Sequence, residues 1–321
     1  YEIFLTEQLV LLENNTIGLG KKKDCQNRSV VTTPTEIVKY MVDKTLSKVC
    51  EGKTPSEILD ISVADIACGS GIFLEEAFAY LQDYCVQWYI CNGQTDHLIE
   101  TGIDLYKLPL QEKKDILCSC IYGIDIDIHA VEVAKFSLLI KLIEDETAPS
   151  VSEVVPILPD LGDNIQFGNS LVSQTELNGI SGANRQMMEI APFDWSTINN
   201  GCGFDVIIGN PPYVNTEGMH ALLPSAEVEI YKKKYKTSHK QFDKYFIFIE
   251  QAINKINENG LVCYIVPNKF FKIGAGEKLR NLIAKERMLV SLDDFGDAQL
   301  FEDKTIYSSI ILLSKAKQTS F

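Results

Sequence analysis

Short apolar runs alternate with longer segments of helical periodicity from about residue 33 onwards, and this alternation limits the possible folds most strongly. The apolar runs predict strands at Ser62–Ile66, Ile121–Asp125, Asn164–Phe167, Phe204–Gly209, Gly260–Val266, Val290–Phe295 and Ser308–Leu313. The periodic segments predict helices at Thr35–Val49, Ile128–Ile143 and Phe242–Ile256. Such an order is typical of an α/β fold, with a mostly parallel, Rossmann-like sheet and helices on both faces.

The organisation of the chain is that of one folded unit with an unusual insertion. We expect an N-terminal segment over residues 1–30 and a single domain over residues 31–321. Residues 83–120 are longer than a usual crossover connection, so we expect an insertion with helices of its own. The first residue is Tyr1 rather than Met, and the strands stop shortly before Phe321. We therefore expect a piece of a longer protein.

The charge balance bears on the class of partner. Of 321 residues, 30 are Lys or Arg and 44 are Asp or Glu, which gives a formal net charge of −14. This negative charge excludes a protein that binds nucleic acid over its whole surface. Residues 231–244 are a local exception, with six lysines and one aspartate among aromatic residues. Phosphate contact and a solvated charged face are equally open interpretations of that segment.

Cysteine and histidine usage indicates the compartment and argues against a metal. The nine cysteines lack paired C-x-x-C spacing, which favours reduced thiols in a cytoplasmic protein over disulfides or a zinc ribbon. The four histidines show no ligand spacing, so we expect no metal site. Apolar runs such as Leu261–Pro267 are far shorter than the ~20 residues of a membrane helix, so we expect no membrane partner.

A strand, a tight turn and a helix start occupy residues 63–74, with the sequence VADIACGSGIFL. Gly69 and Gly71 allow the backbone to approach a ligand closely, and the helix start offers free N–H groups. Leu74 stands where a dinucleotide fingerprint has its third glycine, which disfavours NAD. Taken alone, the segment is also compatible with a plain strand-to-helix connection.

A second strand ends in carboxylates at Asp125 and Asp127. An acidic side chain at this position of an α/β nucleoside-binding sheet can accept from both ribose hydroxyls, and we assign that role to Asp125. Ile126 would then pack against the adenine ring. Asp127 is better explained as the cap of the helix that follows.

A buried strand over residues 204–209 runs directly into Asn210, Pro211, Pro212 and Tyr213. The two prolines fix the backbone and remove two donors, so the nearby carbonyls are held as acceptors. The Asn210 oxygen and the Pro211 carbonyl could accept both protons of an amino group, while Tyr213 offers a face to a planar ring. Two acceptors set for a tetrahedral nitrogen would localise its lone pair and favour the transition state. Read alone, the tetrad could also be an ordinary turn.

In their order along the chain, these motifs resemble the N6-adenine DNA methyltransferases, in the gamma arrangement of type II modification enzymes and fused restriction–modification proteins. The resemblance covers roughly residues 30–315 and includes a leading motif, TPTEIV, at residues 33–38. It implies S-adenosylmethionine as cofactor. The cofactor-binding residues implied are Thr33, Asp65, Ala67, Gly69, Gly71, Asp125, Ile126, Asn169, Ser170 and Phe248.

The resemblance assigns these residues to different parts of the cofactor. Thr33 and residues 65–71 would face its methionine part, Asp125 its ribose, and residues 168–171 its adenine. Asn169 stands where other members often have aspartate, and its amide can still accept from the adenine amine. Phe248 would line the adenine pocket from a helix whose start closes that pocket.

The resemblance also implies the substrate and the reaction. Asn210, Pro211, Pro212 and Tyr213 would be the catalytic tetrad, and Phe301 a second aromatic residue against a flipped base. The reaction would be direct methyl transfer to adenine N6 in double-stranded DNA. Base flipping costs a few kcal/mol, which stacking at about 1–3 kcal/mol per contact would largely offset. The last strand of the seven-stranded sheet would be antiparallel, and a separate C-terminal target-recognition domain or subunit would read the DNA sequence.

Other functions remain open at this stage. The tetrad suits any planar amine or amide, so a protein-glutamine or RNA N-methyltransferase is the enzymatic alternative. A subunit that binds S-adenosylmethionine or DNA without catalysis is the other, and activity confined to the full-length protein is a third. Motif order and the intact tetrad favour a site-specific, adenine-specific DNA methyltransferase of a restriction–modification system.

Overall fold

The computed structural model describes residues 33–147, 154–177, 188–300 and 307–316, and the backbone of two strands near the N-terminus. Those two strands, β1 (Glu7–Leu11) and β2 (Ile17–Lys21), pair antiparallel in a sheet of their own. Phe301 lies outside the described residues, so the position expected for it stays a prediction.

Helices and strands alternate along the rest of the chain. The first half contains α1 (Thr35–Cys50), α2 (Pro55–Ile58), β3 (Val63–Asp65), α3 (Ile72–Cys91), β4 (Ile99–Gly102), β5 (Leu105–Lys107), α4 (Leu110–Cys120), β6 (Ile121–Asp125) and α5 (Ile128–Ile143). The second half contains β7 (Ile165–Phe167), β8 (Phe204–Gly209), α6 (Thr216–Leu222), α7 (Ser225–Lys234), α8 (Lys244–Lys255), β9 (Ile256–Pro267), α9 (Glu277–Lys285), β10 (Leu289–Gln299) and β11 (Tyr307–Ser314).

In the described part of the chain, seven strands form one sheet in the order β10-β11-β9-β8-β3-β6-β7. The pairs from β9 through β8, β3 and β6 to β7 are parallel. The last strand, β11, lies between β9 and β10 and is antiparallel to both. The predicted seven-stranded, mostly parallel sheet with an antiparallel last strand is therefore confirmed.

Two strands of the sheet are longer than the sequence pattern indicated. Strand β9 begins at Ile256, but the exposed polar residues 257–259 interrupt its apolar run, and a register shift against β8 accommodates them. Gly260 follows directly, and a Cβ at this position would lie 2.8 Å from the carbonyl oxygen of Phe204. Strand β10 continues to Gln299 as an edge strand, where polar side chains face solvent.

Each face of the sheet carries its own buried cluster because side chains alternate along a strand. Val206 and Ile208 of β8 join a cluster with α1, α3, α4 and α5, whereas Ile207 joins a second cluster with α7 and α8. Strands buried on both faces read as continuous apolar runs, as these do. This double burial fixes the sheet as the central layer.

The predicted insertion at residues 83–120 resolves into three parts. Residues 83–91 continue α3, β4 and β5 form a small antiparallel hairpin, and α4 returns to the sheet at β6. Among the described residues, no helix combines the length and apolarity needed to cross a membrane.

Asp205 at the start of β8 ties together the amino-terminal edge of the sheet. Its Oδ2 accepts from the backbone N–H and the hydroxyl of Ser62, each at 2.9 Å. Its Oδ1 accepts from the amide of Asn257 at 2.9 Å. One carboxylate therefore links the residues that begin three neighbouring strands, β3, β8 and β9.

Asp205→Ala is expected to lower the free energy of unfolding by about 1–3 kcal/mol, because three donors lose their acceptor. Urea unfolding followed by circular dichroism measures the change. Asp163→Ala, at an exposed aspartate before β7, is the matched control and should change it by less than about 0.5 kcal/mol. Equal losses in both variants would contradict the linking role of Asp205.

Candidate active site

The turn after β3 is held against the neighbouring strand β6. The N–H of Cys68 donates to the carbonyl of Ile124 at 3.0 Å, and that of Gly71 donates back to Cys68 at 2.8 Å. Gly69 and Gly71 have φ of +53° and +90°, a region that favours glycine. A Cβ on Gly71 would lie 3.0 Å from that of Ala134, whereas one on Gly69 would meet no described atom within 4 Å. The backbone at Gly69 is therefore open to close approach by a ligand.

The carboxylate of Asp125 lies beside this turn, at the end of β6. Its Oδ2 accepts from the N–H of Gly69 at 2.8 Å, and its Oδ1 accepts from that of Asp127 at 2.8 Å. These two backbone N–H groups hold the carboxylate in a fixed orientation beside the turn. Asp127 accepts from the N–H of His129 at 2.9 Å, which confirms it as the cap of α5.

Asp65, at the end of β3, is a fully enclosed carboxyl group. Its Oδ1 accepts from the N–H of Ala67 at 3.0 Å. A Cβ on Gly209 would lie 2.6 Å from both of its oxygens, so only glycine fits there. Burial, followed by the charge of Asp125, raises the pKa of Asp65 to about 8. The hydroxyl of Tyr264 is buried and has no hydrogen-bond partner among the described residues.

The residues after β7 are hydrogen-bonded to the ends of two other strands, β6 and β3. The N–H of Gly168 donates to the carbonyl of Asp125 at 2.8 Å, and the hydroxyl of Ser170 donates to that of Ile66 at 2.7 Å. Asn169, 3% exposed, lies between them and donates its amide N–H to Glu227 at 2.9 Å. Sequence reasoning missed Glu227, although a glutamate among the apolar residues of α7 was an available signal.

The tetrad at residues 210–213 follows β8, beside β3 at the same edge. Asn210 donates its amide N–H to the hydroxyl of Thr33 at 3.0 Å. The hydroxyl of Tyr213 contacts the amide oxygen of Asn210 and lies 2.9 Å from the carbonyl oxygen of Ile265. Burial raises the pKa of Tyr213, which keeps this hydroxyl protonated as a donor. Thr33, predicted to face the cofactor, is thus placed where it orients the tetrad amide.

Aromatic and charged residues surround the tetrad. The ring of Tyr245 meets that of Tyr213 edge-on, with centroids 5.9 Å apart. The hydroxyl of Tyr245 donates to the carbonyl of Pro267 at 3.2 Å, which joins α8 to the end of β9. The carboxylate of Asp243, at the start of α8, pairs with Lys269 at 2.6 Å. Phe248 lies on the same helix and is 5% exposed, in the buried cluster of that face.

The lysines of residues 231–244 divide into two groups. Lys232 pairs with Glu229 at 3.1 Å, Lys234 pairs with Glu176 at 3.0 Å, and Lys244 is buried. Lys233, Lys236 and Lys240 are exposed, and the ammonium of Lys240 also lies 3.9 Å from the exposed carboxylate of Glu277. The segment is therefore neither a continuous basic patch nor a uniformly solvated face.

The structure thus gathers most of the described members of the predicted site along one edge of the sheet, whereas Phe248 lies on α8 within a buried cluster. Those at the ends of β3, β6, β7 and β8 are Asp65, Ala67, Gly69, Gly71, Asp125, Ile126, Asn169, Ser170, Asn210, Pro211, Pro212 and Tyr213. Thr33 joins them through Asn210. The individual binding and catalytic roles remain predictions.

Comparison with known proteins gives the family. A model of the Eco57I restriction-modification methylases matches residues 119–301, more than half of the chain. The chain belongs to the Eco57I restriction-modification methylase family. The matched part runs from β6 through the tetrad and β10, and so includes Asp125, Asn169 and Asn210.

Relatives of this Eco57I-family chain are considerably longer. The type II restriction enzyme and methyltransferase RM.Eco57I of Escherichia coli is 43% identical over all 321 residues, which cover 31% of that protein. The type II methyltransferase M.BstVI of Geobacillus stearothermophilus is 25% identical over 257 residues, 79% of this chain and 37% of that protein. The chain therefore spans about a third of the length of these relatives.

Solved structures agree with the fold. The structure of a DrdV–DNA complex aligns with a TM-score of 0.58 at 16% identity, over 90% of this chain and 27% of that one. A nuclease-deletion mutant of the Type ISP restriction-modification enzyme LlaGI, in complex with a DNA substrate mimic, aligns with a TM-score of 0.56 at 17% identity, over 90% and 23%. At these identities the likeness establishes the architecture of the Eco57I-family chain.

The raised pKa of Asp65 predicts a pH-dependent cost to folding. An aspartate in an unfolded chain titrates near ~4, whereas Asp65 in the folded chain titrates at about 8. Between these pH values only the unfolded state is ionised, so this carboxyl lowers stability progressively as the pH rises from about 4 to about 8. The stability gain of Asp65→Asn over the parent protein should therefore increase across that range.

Thermal unfolding of the ligand-free protein at about pH 5 and about pH 8 measures this gain. Asp163→Asn, at an exposed aspartate, controls for the removal of one negative charge. A gain from Asp65→Asn that is the same at both pH values would contradict the prediction.

Proposed function

We propose that this chain is the catalytic domain of a site-specific, adenine-specific DNA methyltransferase of a restriction–modification system. It transfers a methyl group from S-adenosylmethionine to adenine N6 in double-stranded DNA. The observation that carries the proposal is the direct contact between the two halves of the site. Gly209, the residue before the tetrad, packs against the carboxylate of Asp65 in the glycine-rich turn. Methyl donor and amine acceptor would thus lie side by side.

The residues at the glycine-rich turn fit S-adenosylmethionine. The open backbone at Gly69 allows close approach, and the oriented carboxylate of Asp125 can accept from the ribose hydroxyls. The positively charged methionine part of the cofactor would stabilise the ionised form of the enclosed Asp65 carboxyl. Asn169 and Ser170 would hold the adenine, with Ile126 and Phe248 along it. When bound, the cofactor supplies an electrophilic methyl group.

The tetrad would prepare the amine that receives this methyl group. The oxygen of Asn210 and the carbonyl of Pro211 accept the two N6 protons of adenine, which localises the nitrogen lone pair. The lone pair would form the new N–C bond as the S–C bond breaks with release of S-adenosylhomocysteine, and the surplus proton of N6 would pass to water. Thr33 accepts from the Asn210 amide N–H and so fixes which side of the amide carries the oxygen. The hydroxyl of Tyr213 has a second acceptor in Ile265, so it can release the Asn210 oxygen.

The substrate assignment draws on the relatives. RM.Eco57I and M.BstVI carry the names of type II methyltransferases, and the DrdV and LlaGI structures contain DNA or a DNA mimic. A further relative, at 23% identity, is named the adenine-specific methyltransferase PglX of Streptomyces coelicolor. These names favour adenine in DNA over a glutamine amide or RNA. A tritiated-cofactor assay offered DNA, RNA and protein in parallel would separate the three substrates.

The proposed DNA contact lies on the loop after α7. The N–H of Lys244 donates to the carbonyl of Val214, directly after the tetrad, and the hydroxyl of Thr216 donates to that of Phe242, each at 2.8 Å. Buried Glu250 accepts from the N–H groups of residues 236 and 237 at 3.1 and 2.8 Å. The loop is therefore anchored beside the tetrad and presents Lys236 and Lys240 to solvent. Sequence recognition would come from a separate domain or subunit.

Asn210→Ala is expected to reduce methylation of an adenine-containing duplex by at least about 100-fold, because one of two acceptors is lost. Radiolabel transfer measures the rate, and calorimetry with S-adenosylhomocysteine should give unchanged cofactor affinity. Asn92→Ala, at an exposed asparagine after α3, is the matched control and should keep full activity. Normal turnover by Asn210→Ala would rule out the proposed mechanism.

Lys236→Ala combined with Lys240→Ala is expected to weaken DNA binding, since two phosphate contacts are lost. The slope of log K against log salt concentration should become shallower by about 2. Fluorescence anisotropy with a labelled duplex measures it. Lys48→Ala combined with Lys53→Ala is the control, because α1 begins beside the tetrad, Lys48 lies in its last turn and Lys53 follows its far end. An unchanged slope in the first variant would place the DNA contact elsewhere.

A further inference from the structure

Three buried polar residues form a closed group behind the proposed adenine site. Asn169, Glu227 and Tyr231 are 3%, 1% and 0% exposed. Glu227 and Tyr231 lie one turn apart on α7 and so face the same direction. The hydroxyl of Tyr231 donates to Oε1 of Glu227, and burial together with this carboxylate raises the pKa of Tyr231. Tyr231 therefore stays protonated.

The chemistry of these partners permits one orientation of the Asn169 amide. The carboxylate of Glu227 can only accept, so the group 2.9 Å from it must be the NH₂ of Asn169. The backbone N–H of Leu171 can only donate, so the atom 3.1 Å from it must be the amide oxygen. The second proton of the NH₂ is directed to Tyr231 at 3.4 Å. Both donors of Asn169 are therefore committed away from the site.

One acceptor position on Asn169 remains. An amide oxygen has two lone pairs, and among the described residues the N–H of Leu171 is the one donor to it, at 3.1 Å. The neighbours on either side, Gly168 and Ser170, are bonded to the ends of β6 and β3. The oxygen of Asn169 thus belongs to the strand edge where the proposed cofactor binds.

We propose that Glu227 is a positioning residue that makes Asn169 an obligate hydrogen-bond acceptor and thereby selects a cofactor with a 6-amino purine over one with a 6-oxo purine. This rests on the proposed function, which places the cofactor adenine at Asn169. A free amide could rotate and offer NH₂ to a 6-oxo group, whereas the amide held by Glu227 cannot. Selectivity then comes from a residue that does not itself touch the cofactor.

The same arrangement favours asparagine over aspartate at position 169. An aspartate at position 169 would place a second carboxylate beside buried Glu227, and like charges in a buried site oppose each other. Asparagine with a glutamate behind it offers the purine the same acceptor that an aspartate would. Sites that hydrogen-bond a ligand amine discriminate strongly against analogues lacking it.

The experiment compares two probes by calorimetry with the whole chain: S-adenosylhomocysteine and its 6-oxo analogue, S-inosylhomocysteine. The parent protein should prefer the amino form by at least about tenfold. Glu227→Gln should bring the ratio close to one, because glutamine can donate to a rotated Asn169. Glu229→Gln, at an exposed glutamate on the same helix, is the matched control and should keep the parent ratio.

A second variant keeps the test decisive if Glu227→Gln folds poorly. Asn169→Asp alone should lose affinity for both probes at least about tenfold, and adding Glu227→Gln should restore it together with the preference for the amino form. A folded Glu227→Gln protein with the parent ratio, or a double variant that fails to recover, would overturn the positioning role. Failure of the parent protein to bind S-adenosylhomocysteine would instead contradict the proposed function, and the positioning role with it.

Discussion

The parallel pairing of β3 with β6 on one side and β8 on the other is the constraint on which the site depends. Parallel strands end at the same edge of a sheet, so the residues after these strands meet although they are far apart in the chain. Gly209 makes one of these contacts, because the carboxylate of Asp65 fills the space that a side chain would need. The glycine-rich turn and the tetrad are thereby joined without a connecting segment.

Buried and partly buried carboxylates shape this edge, and each is stabilised in its own way. Asp125 is oriented by two backbone N–H groups, and Glu250 by two others in the basic loop. Glu227 is held by the side chains of Tyr231 and Asn169. Among the described residues, Asp65 accepts from one backbone N–H, that of Ala67, and its pKa is raised. A cationic ligand would therefore stabilise its ionised form. An incomplete set of partners at Asp65 is consistent with a binding role.

The charge of the chain has a structural counterpart. A net charge of −14 is compatible with DNA as substrate if the exposed lysines are concentrated beside the tetrad and other domains supply further contacts. Ion pairs with Glu229, Glu176 and Glu277 involve three of the six lysines of residues 231–244, and Lys244 is buried. The basic character of the segment therefore rests on the few lysine side chains that the anchored loop exposes to solvent.

The sequence by itself determined the α/β class, the seven strands and the segments that follow them, because strand burial and turn chemistry are local properties. It also identified Asp127 as a helix cap, since capping involves neighbours in the chain. Only the tertiary structure decided which side chains meet. Thr33 on Asn210 and Glu227 on Asn169 join residues 177 and 58 positions apart, and no local pattern records such contacts. The polar start of β9 was likewise assigned only by its pairing with β8, because a register shift accommodates residues that break the apolar run.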